Sequence, residues 1–239
     1  VETDPSAPGF EAAVDPTPTM LVLQTDEAGA ISGATVLSLA RDGGGFLTFF
    51  PAGTVLELPF TETGEATLDE IYQGAGEEGL EQRIETLLVA ATQENVEIQG
   101  NAAWAALLAP LGPLTIDNPV ALSTTDAFGG PVSFAQGPIQ VPPEQIGLYV
   151  NTRGAEETDV TRLERQQAFW TAWLAAVQGS SDPNVVPGET DTGLGRFVRG
   201  LAEAESVPNT LPVTPVGIPG VSAIDTNLYR PDQAGVDAL

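Results

Sequence analysis

Apolar residues recur at two spacings along this chain, and the change from one spacing to the other divides it into elements. From Thr19 the runs TMLVLQTD and ATVLSLA, separated by DEAGAISG, are short and rich in leucine and β-branched residues. GFLTFFPAGTVLELP follows after the turn-rich RDGGG at 41–45. Runs of this length bounded by Gly and Asp predict three neighbouring strands. The period then lengthens. ATLDEIYQGAG and EEGLEQRIETLLVAA place Leu68, Ile71 and Tyr72, then Leu80, Ile84, Leu87 and Leu88, at helical intervals, with Gly74 and Gly76 marking a break. VEIQG reads as a strand, NAAWAALLAPLG as a helix with an Asn cap and a stop at Gly112, and PLTIDNPVALS as a further strand region. VPPEQIGLYVNTRG reads as a short helix with Pro in its first turn, delivering Tyr149 to Arg153 into a loop. After the next helix come a linker, SSDPNVVPG, an amphipathic helix, TGLGRFVRGLAEAE, and a strand, TLPVTPVGIPG, before an irregular tail. This alternation predicts the α/β class, a mixed central sheet with helices on both faces. The residues ahead of Thr19 carry Pro, Asp and Glu without an apolar period, so 1–18 reads as a flexible acidic tether and 19–239 as the folded domain.

The helix in Thr158–Val177, TDVTRLERQQAFWTAWLAAV, has the strongest pattern in the chain. Thr158 or Asp159 can cap its start, and Thr161 with Glu164 has the spacing of a capping box. Asp159, Arg162, Gln166, Phe169 and Trp173 fall along one stripe, and Leu163, Trp170, Leu174 and Val177 along its neighbour. One face thus passes from ionic to aromatic. Such a face can hold an anionic head at the helix start, where guanidiniums and the helix N-terminus both favour negative charge, and an apolar tail beyond it. The plainer reading is a core helix with a solvated first turn, in which Phe49, Phe50, Trp104, Trp170 and Trp173 are ordinary core.

Composition narrows the chemistry. Eight basic residues, all arginine, stand against 33 acidic ones for a formal charge of −25. That field repels nucleic acid and anionic lipid surfaces. There is no Cys and no His, which excludes disulfides, zinc–thiolate sites and Ser-His-Asp or Cys-His catalysis. Catalysis would have to run on carboxylates, arginines or a hard cation such as magnesium. No stretch of eighteen residues is apolar enough to span a membrane. Val1 is not a natural start, so an upstream signal peptide or anchor is compatible with the chain, as is trimming. RDGGG lacks the Lys-Ser/Thr of a phosphate loop and reads as a tight turn, and GEEGLE and the Glu156–Glu157 pair read as solvated helix starts.

The order of these elements, with GPIQVPPEQIGLYVNTRGAEETDVTRLERQQ, LLAPLGPLTID and LDEIYQGAGEEGLEQRIETLL in sequence, resembles the LytR-CpsA-Psr family, extracytoplasmic enzymes that attach glycopolymers to the bacterial cell wall. The resemblance runs from about Thr19 to Gln178 and more faintly to the C-terminus. It implies an α-β-α sandwich, an apolar tunnel for a polyprenyl tail, and arginines with a magnesium ion gripping a pyrophosphate. Asp159, Arg162 and Gln166 match the family's Asp, Arg and Gln at the head of the long helix, and Arg153 matches the second arginine of its Arg-x-Arg pair. Phe169 and Trp173 would line the tail's path, and Asp26 matches an upstream carboxylate that would serve as a metal ligand. Asn151, however, stands where the first arginine of the pair is expected. Ala52 and Gly53 replace the Arg and Asp of Pro-Arg-Asp-Thr, and Ser32 and Ala34 those of Arg-Ser-Asp-Thr.

Each lost charge-assisted contact removes ~1.5–3 kcal/mol. Phosphoryl transfer depends on positioning and charge neutralisation, so the deficit falls on catalysis. Arg41 and Arg165 are the nearest candidates for compensation. The favoured expectation is a non-catalytic extracytoplasmic protein of the cell envelope that binds a polyprenyl-phosphate-type lipid or a cell-wall assembly protein, with no cofactor. One alternative is a working glycopolymer transferase with a rearranged site and magnesium. Another is a structural interaction module whose tunnel is filled by side chains, with Asp159, Arg153, Arg162 and Gln166 forming an internal network.

Overall fold

Strand β1 (Thr19–Thr25) is buried along its whole length, which is why its sequence is an apolar run with no clean alternation. It is flanked on both sides. β2 (Ile31–Leu39) pairs with it antiparallel, from Thr19↔Ser38 to Thr25↔Ile31, and β6 (Glu94–Gln99) pairs with it parallel on the other side. The structure, a computed structural model, describes residues 17–58, 64–182, 184–188, 191–217 and 226–239. Of the stretch expected to be a tether, only Thr17 and Pro18 fall among these, and the Pro18 carbonyl already accepts a 3.0 Å bond from Leu39 N. β3 (Gly45–Phe50) continues antiparallel from β2, and β11 (Ser206–Thr210) closes the sheet parallel to β3. The order is β11-β3-β2-β1-β6, a mixed sheet as expected.

Alternation on these strands feeds two cores. Met20, Val22, Leu47 and Phe49 face α2 (Gly100–Leu108), α3 (Pro143–Asn151), α4 (Asp159–Gln178) and α5 (Gly193–Ala202). Leu21, Leu23, Val36 and Phe50 face α1 (Leu68–Leu88) and the short α6 (Gln233–Val236). The α/β sandwich with helices on both faces is therefore present. α1 starts in a reciprocal Thr67–Glu70 capping box and kinks at Gly76 (φ 72°, ψ −172°), where the glycine break is expected.

Several local expectations are corrected. Ile31–Gly33 belong to β2 instead of the connection before it. GFLTFFPAGTVLELP is not one strand: Pro51 carbonyl accepts from Thr54 N at 3.0 Å and Thr54 Oγ1 at 2.7 Å. That turn sends β4 (Val55–Glu57) away to pair with β5 (Glu65–Thr67). α2 begins one residue before Asn101 and lacks a side-chain cap of its own. Tyr149 and Val150 lie inside α3, not in the loop after it. The ladders β7 (Leu114–Asn118) with β10 (Gly137–Val141), β8 (Leu122–Thr125) with β9 (Pro131–Phe134), and β12 (Val213–Pro215) with β13 (Tyr229–Pro231) complete the fold.

Candidate functional site

β1 and β6 run parallel and end together at Thr25 and Gln99, and a crevice at the carboxyl ends of parallel strands is where α/β sheets receive ligands. A cleft of about 350 Å³ opens there, lined by Asp26, Glu27, Asn101, Asn151, Arg153 and Arg162 among others. α4 enters it with the ionic end of its stripe. Its start is held by a reciprocal box between Thr158 and Thr161, so the expected Thr161–Glu164 pairing gives way to one a turn earlier.

The expected cluster is assembled, and its charge is consumed by the chain itself. Asp159, Arg162, Arg165 and Gln166 are all buried, so the ionic stripe of α4 is buried from its first turn while Thr161 on the other side stays exposed. Arg162 donates from Nη1 to Asn151 O at 2.8 Å and from Nη2 to Ser32 O, and pairs with Asp159 Oδ1 at 3.0 Å. Burial pulls its guanidinium down from the ordinary value, the Asp159 carboxylate opposes this, and the charges of Arg165 and Arg153 add to the lowering. Gln166 Nε2 donates to Val150 O at 3.1 Å and Gln24 Oε1 at 3.3 Å. Asp159 Oδ2 accepts from Gly53 N at 2.8 Å and from Asn227 Nδ2. Of the four residues expected in this cluster, Arg153, exposed at the rim, is the one that makes no ion pair or hydrogen bond among the described residues. A network of this kind ties β1, β2 and the end of α3 to α4.

The positions where arginines and carboxylates are missing are filled in a connected way. Ser32 and Asn151, which stand where two arginines are expected, meet each other, Ser32 Oγ lying 2.9 Å from Asn151 Oδ1 and 3.1 Å from Gln24 O. Asn151 Nδ2 reaches Thr25 O at 3.3 Å. At Gly53 a Cβ would stand 1.8 Å from Asn227 O, so the room an aspartate needs is taken by the segment entering β13. Asp26 Oδ1 accepts from Ala28 N at 2.8 Å and Ala30 N at 3.0 Å, which makes it the carboxylate of its own turn. Among the described residues no three acidic side chains converge as a metal site. With Ala34 and Gly53 at the other two places, the donor set does not fit a magnesium ion.

Neither candidate for compensation reaches the cleft. Arg41 follows β2, which runs away from it for eight residue steps, about 26 Å at ~3.3 Å each. Arg165 is fully buried beneath the site: Nε and Nη2 clasp Glu157 at 2.9 and 2.7 Å, Nη2 donates to Thr152 O at 2.6 Å, and Nη1 donates to Tyr149 O. Its guanidinium also lies 5.5 Å from the centre of the Tyr149 ring. Glu157 is therefore not a solvated helix start. Burial pushes its carboxyl up, but the Arg165 bonds, the Gly154 N–H and the charges of Arg165 and Arg162 outweigh that and hold it below its ordinary value. The sequence reading missed this pair because nothing in the loop before α4 marks a carboxylate that turns inward.

Phe169 and Trp173, the residues expected along a lipid tail, are both fully buried with Trp104 and Trp170. The rings pack on one another at centroid separations from 4.9 to 6.2 Å. The cleft beside Arg162 is lined by other side chains.

No protein-family model matches the sequence, and no curated protein matches it. Solved structures do. B. subtilis TagV superposes with a TM-score of 0.71 at 14% identity, over 93% of this chain and 94% of that one. B. subtilis TagT gives 0.66 at 17% identity over 96% and 90%. TagT bound to LIIa-WTA gives 0.68 at 17% identity over 93% and 88%. At these identities the likeness is one of fold, and it extends past Gln178 to cover nearly the whole chain. The chain thus shares the fold of these structures, the fold that its resemblance to the LytR-CpsA-Psr family implies.

Proposed function

We propose that this protein is a non-catalytic member of the cell envelope, located outside the cytoplasm, that keeps a LytR-CpsA-Psr-like fold and works by binding a cell-wall assembly partner instead of transferring a glycopolymer. One observation carries this reading: the guanidiniums on α4 are spent on the chain's own groups, the retained Arg162 on Asp159, Asn151 O and Ser32 O, and Arg165, a candidate for compensation, on Glu157. A transferring phosphoryl group needs several positive charges aimed at it from preorganised positions. Of the guanidiniums lining the cleft, Arg153 is the uncommitted one, and Ala34 and Gly53 stand where two carboxylates are expected, while Asp26 is held in its own turn. The close-packed Trp104, Phe169, Trp170 and Trp173 favour a protein partner over a polyprenyl tail. The fold's presence in TagT bound to LIIa-WTA supports a cell-wall setting.

The test is turnover. Purified protein with a polyprenyl pyrophosphate and magnesium is expected to release no phosphate above the uncatalysed rate, and mass spectrometry of an organic extract is expected to find no stoichiometric prenyl lipid. Magnesium-dependent release would establish the rearranged transferase instead. A co-purified lipid would return the aromatic cluster to the role of a tail site.

A further inference from the structure

α2 points its N-terminus into the cleft, and that end is already occupied. Glu27 Oε1 accepts a 2.7 Å bond from Asn101 N, one of the first amides of the helix. Both carboxylate oxygens press on the preceding residue, Gly100, where a Cβ would stand 2.9 and 3.0 Å from them. Gly100 has φ +63°, so the backbone that presents this amide already depends on glycine. α3 packs directly against the same turn, since a Cβ on Gly147 would meet Asn101 Oδ1 at 2.3 Å and Asn101 Cα at 2.6 Å. The seat is thus bounded by the sheet, α2 and α3, and it holds an oxyanion supplied by the chain.

A second feature of the cleft points independently to an anion. Arg162, 4% exposed, lines it, and its Nε is buried with no hydrogen-bond partner among the described residues. Arg153 faces the same space from the rim without a carboxylate of its own. A helix N-terminus, a guanidinium with an unused donor and an uncommitted arginine would together attract an oxyanion. Glu27 answers that attraction from within. Its side chain reaches the seat from the exposed turn 26–29, which Asp26 holds shut through its own bonds to Ala28 N and Ala30 N. It can therefore leave without unpairing β1 or unwinding α2.

We propose that the Glu27 carboxylate is a displaceable internal occupant of an oxyanion seat formed by the α2 N-terminus and Arg153, and that it decides whether this cleft accepts a phosphate-type anion. This rests on the reading that the cleft's charge is neutralised from within the chain, and it names the residue that completes the neutralisation. In the native chain the cleft is closed to phosphates. Removing the one charge opens it without restoring any of the missing transferase groups.

The experiment uses the full chain and two probes, inorganic pyrophosphate and farnesyl pyrophosphate, titrated calorimetrically. Glu27→Gln keeps an oxygen for Asn101 N and is expected to bind pyrophosphate at least tenfold more tightly than the native chain. Adding Arg153→Ala is expected to abolish the gain. Equal gains with both probes support the proposal with a free anion as ligand, and a larger gain with the prenylated probe supports it with a lipid-linked one. A Glu27→Gln variant that is folded by circular dichroism yet binds neither probe better than the native chain overturns it, as does a gain that survives Arg153→Ala. Native protein that already binds pyrophosphate tightly also overturns it. Absence of phosphate release in that last case would leave the non-catalytic reading standing, so the two can fail separately.

Discussion

Arg165 sits beneath the cleft with its guanidinium wholly out of water, and its tolerance there depends on Glu157. Removing one member of a buried pair strands the other, which costs about 3–5 kcal/mol, whereas replacing both with apolar groups is often neutral. Glu157→Gln is therefore expected to lower unfolding stability by about 3 kcal/mol or more, and Arg165→Met combined with Glu157→Leu to recover most of the loss, as read by urea denaturation. The pH dependence has a definite sign. Burial works against the Glu157 charge, but its bonds from Arg165 and Gly154 hold the folded carboxyl below the unfolded one, so the unfolded chain binds the extra proton. The pair's contribution is complete above the ordinary glutamate range near 4.5 and disappears as pH falls through the lower folded value. Acidification across that window should destabilise the native chain more than Glu157→Gln. At this scale the sequence showed which side chains on α4 share a stripe, because helical spacing requires it. It did not show that Asn151 would face Ser32 or that Glu157 would turn inward, because those contacts join residues far apart in the chain or cross an irregular loop.

Elements with strong local signals were legible. The α4 pattern, the glycine break in α1 and the first three strands each follow from spacing and punctuation within a dozen residues. β11 was not, because Pro208 at its centre argues against a strand, and only its place at the sheet edge makes the missing N–H tolerable. The turn that separates β3 from β4 is another element-level feature with a consequence. Gly53 N caps Asp159 at 2.8 Å, Gly53 O accepts from Tyr229 N at 2.9 Å, and its missing side chain leaves room for Asn227 O. Gly53→Ala would drive a Cβ into that backbone carbonyl, so the segment entering β13 must move. The expected loss is about 1–3 kcal/mol, with faster hydrogen exchange at the Tyr229 amide than in the native chain. Unchanged exchange there would mean that the segment is not held through Gly53.

For the molecule as a whole, a formal charge of −25 on 239 residues makes self-repulsion a large term. Exposed pairs such as Arg230–Glu65, 2.7 Å apart, offset little of it. Raising ionic strength from about 0.01 to 0.15 M shortens the screening length from about 30 to about 8 Å. The melting temperature should therefore rise with salt, and a fall would mean that attractive pairs outweigh the net charge. The sequence by itself determined the α/β class, the helix that carries the site and the exclusion of thiol and imidazole chemistry, since these rest on composition and on local periodicity. It also showed which charged positions expected from the resemblance were absent. Only the tertiary structure decided what became of the arginines that remain: whether a guanidinium faces a ligand or the chain's own carbonyls depends on which distant segments converge on it, and no local spacing records that convergence.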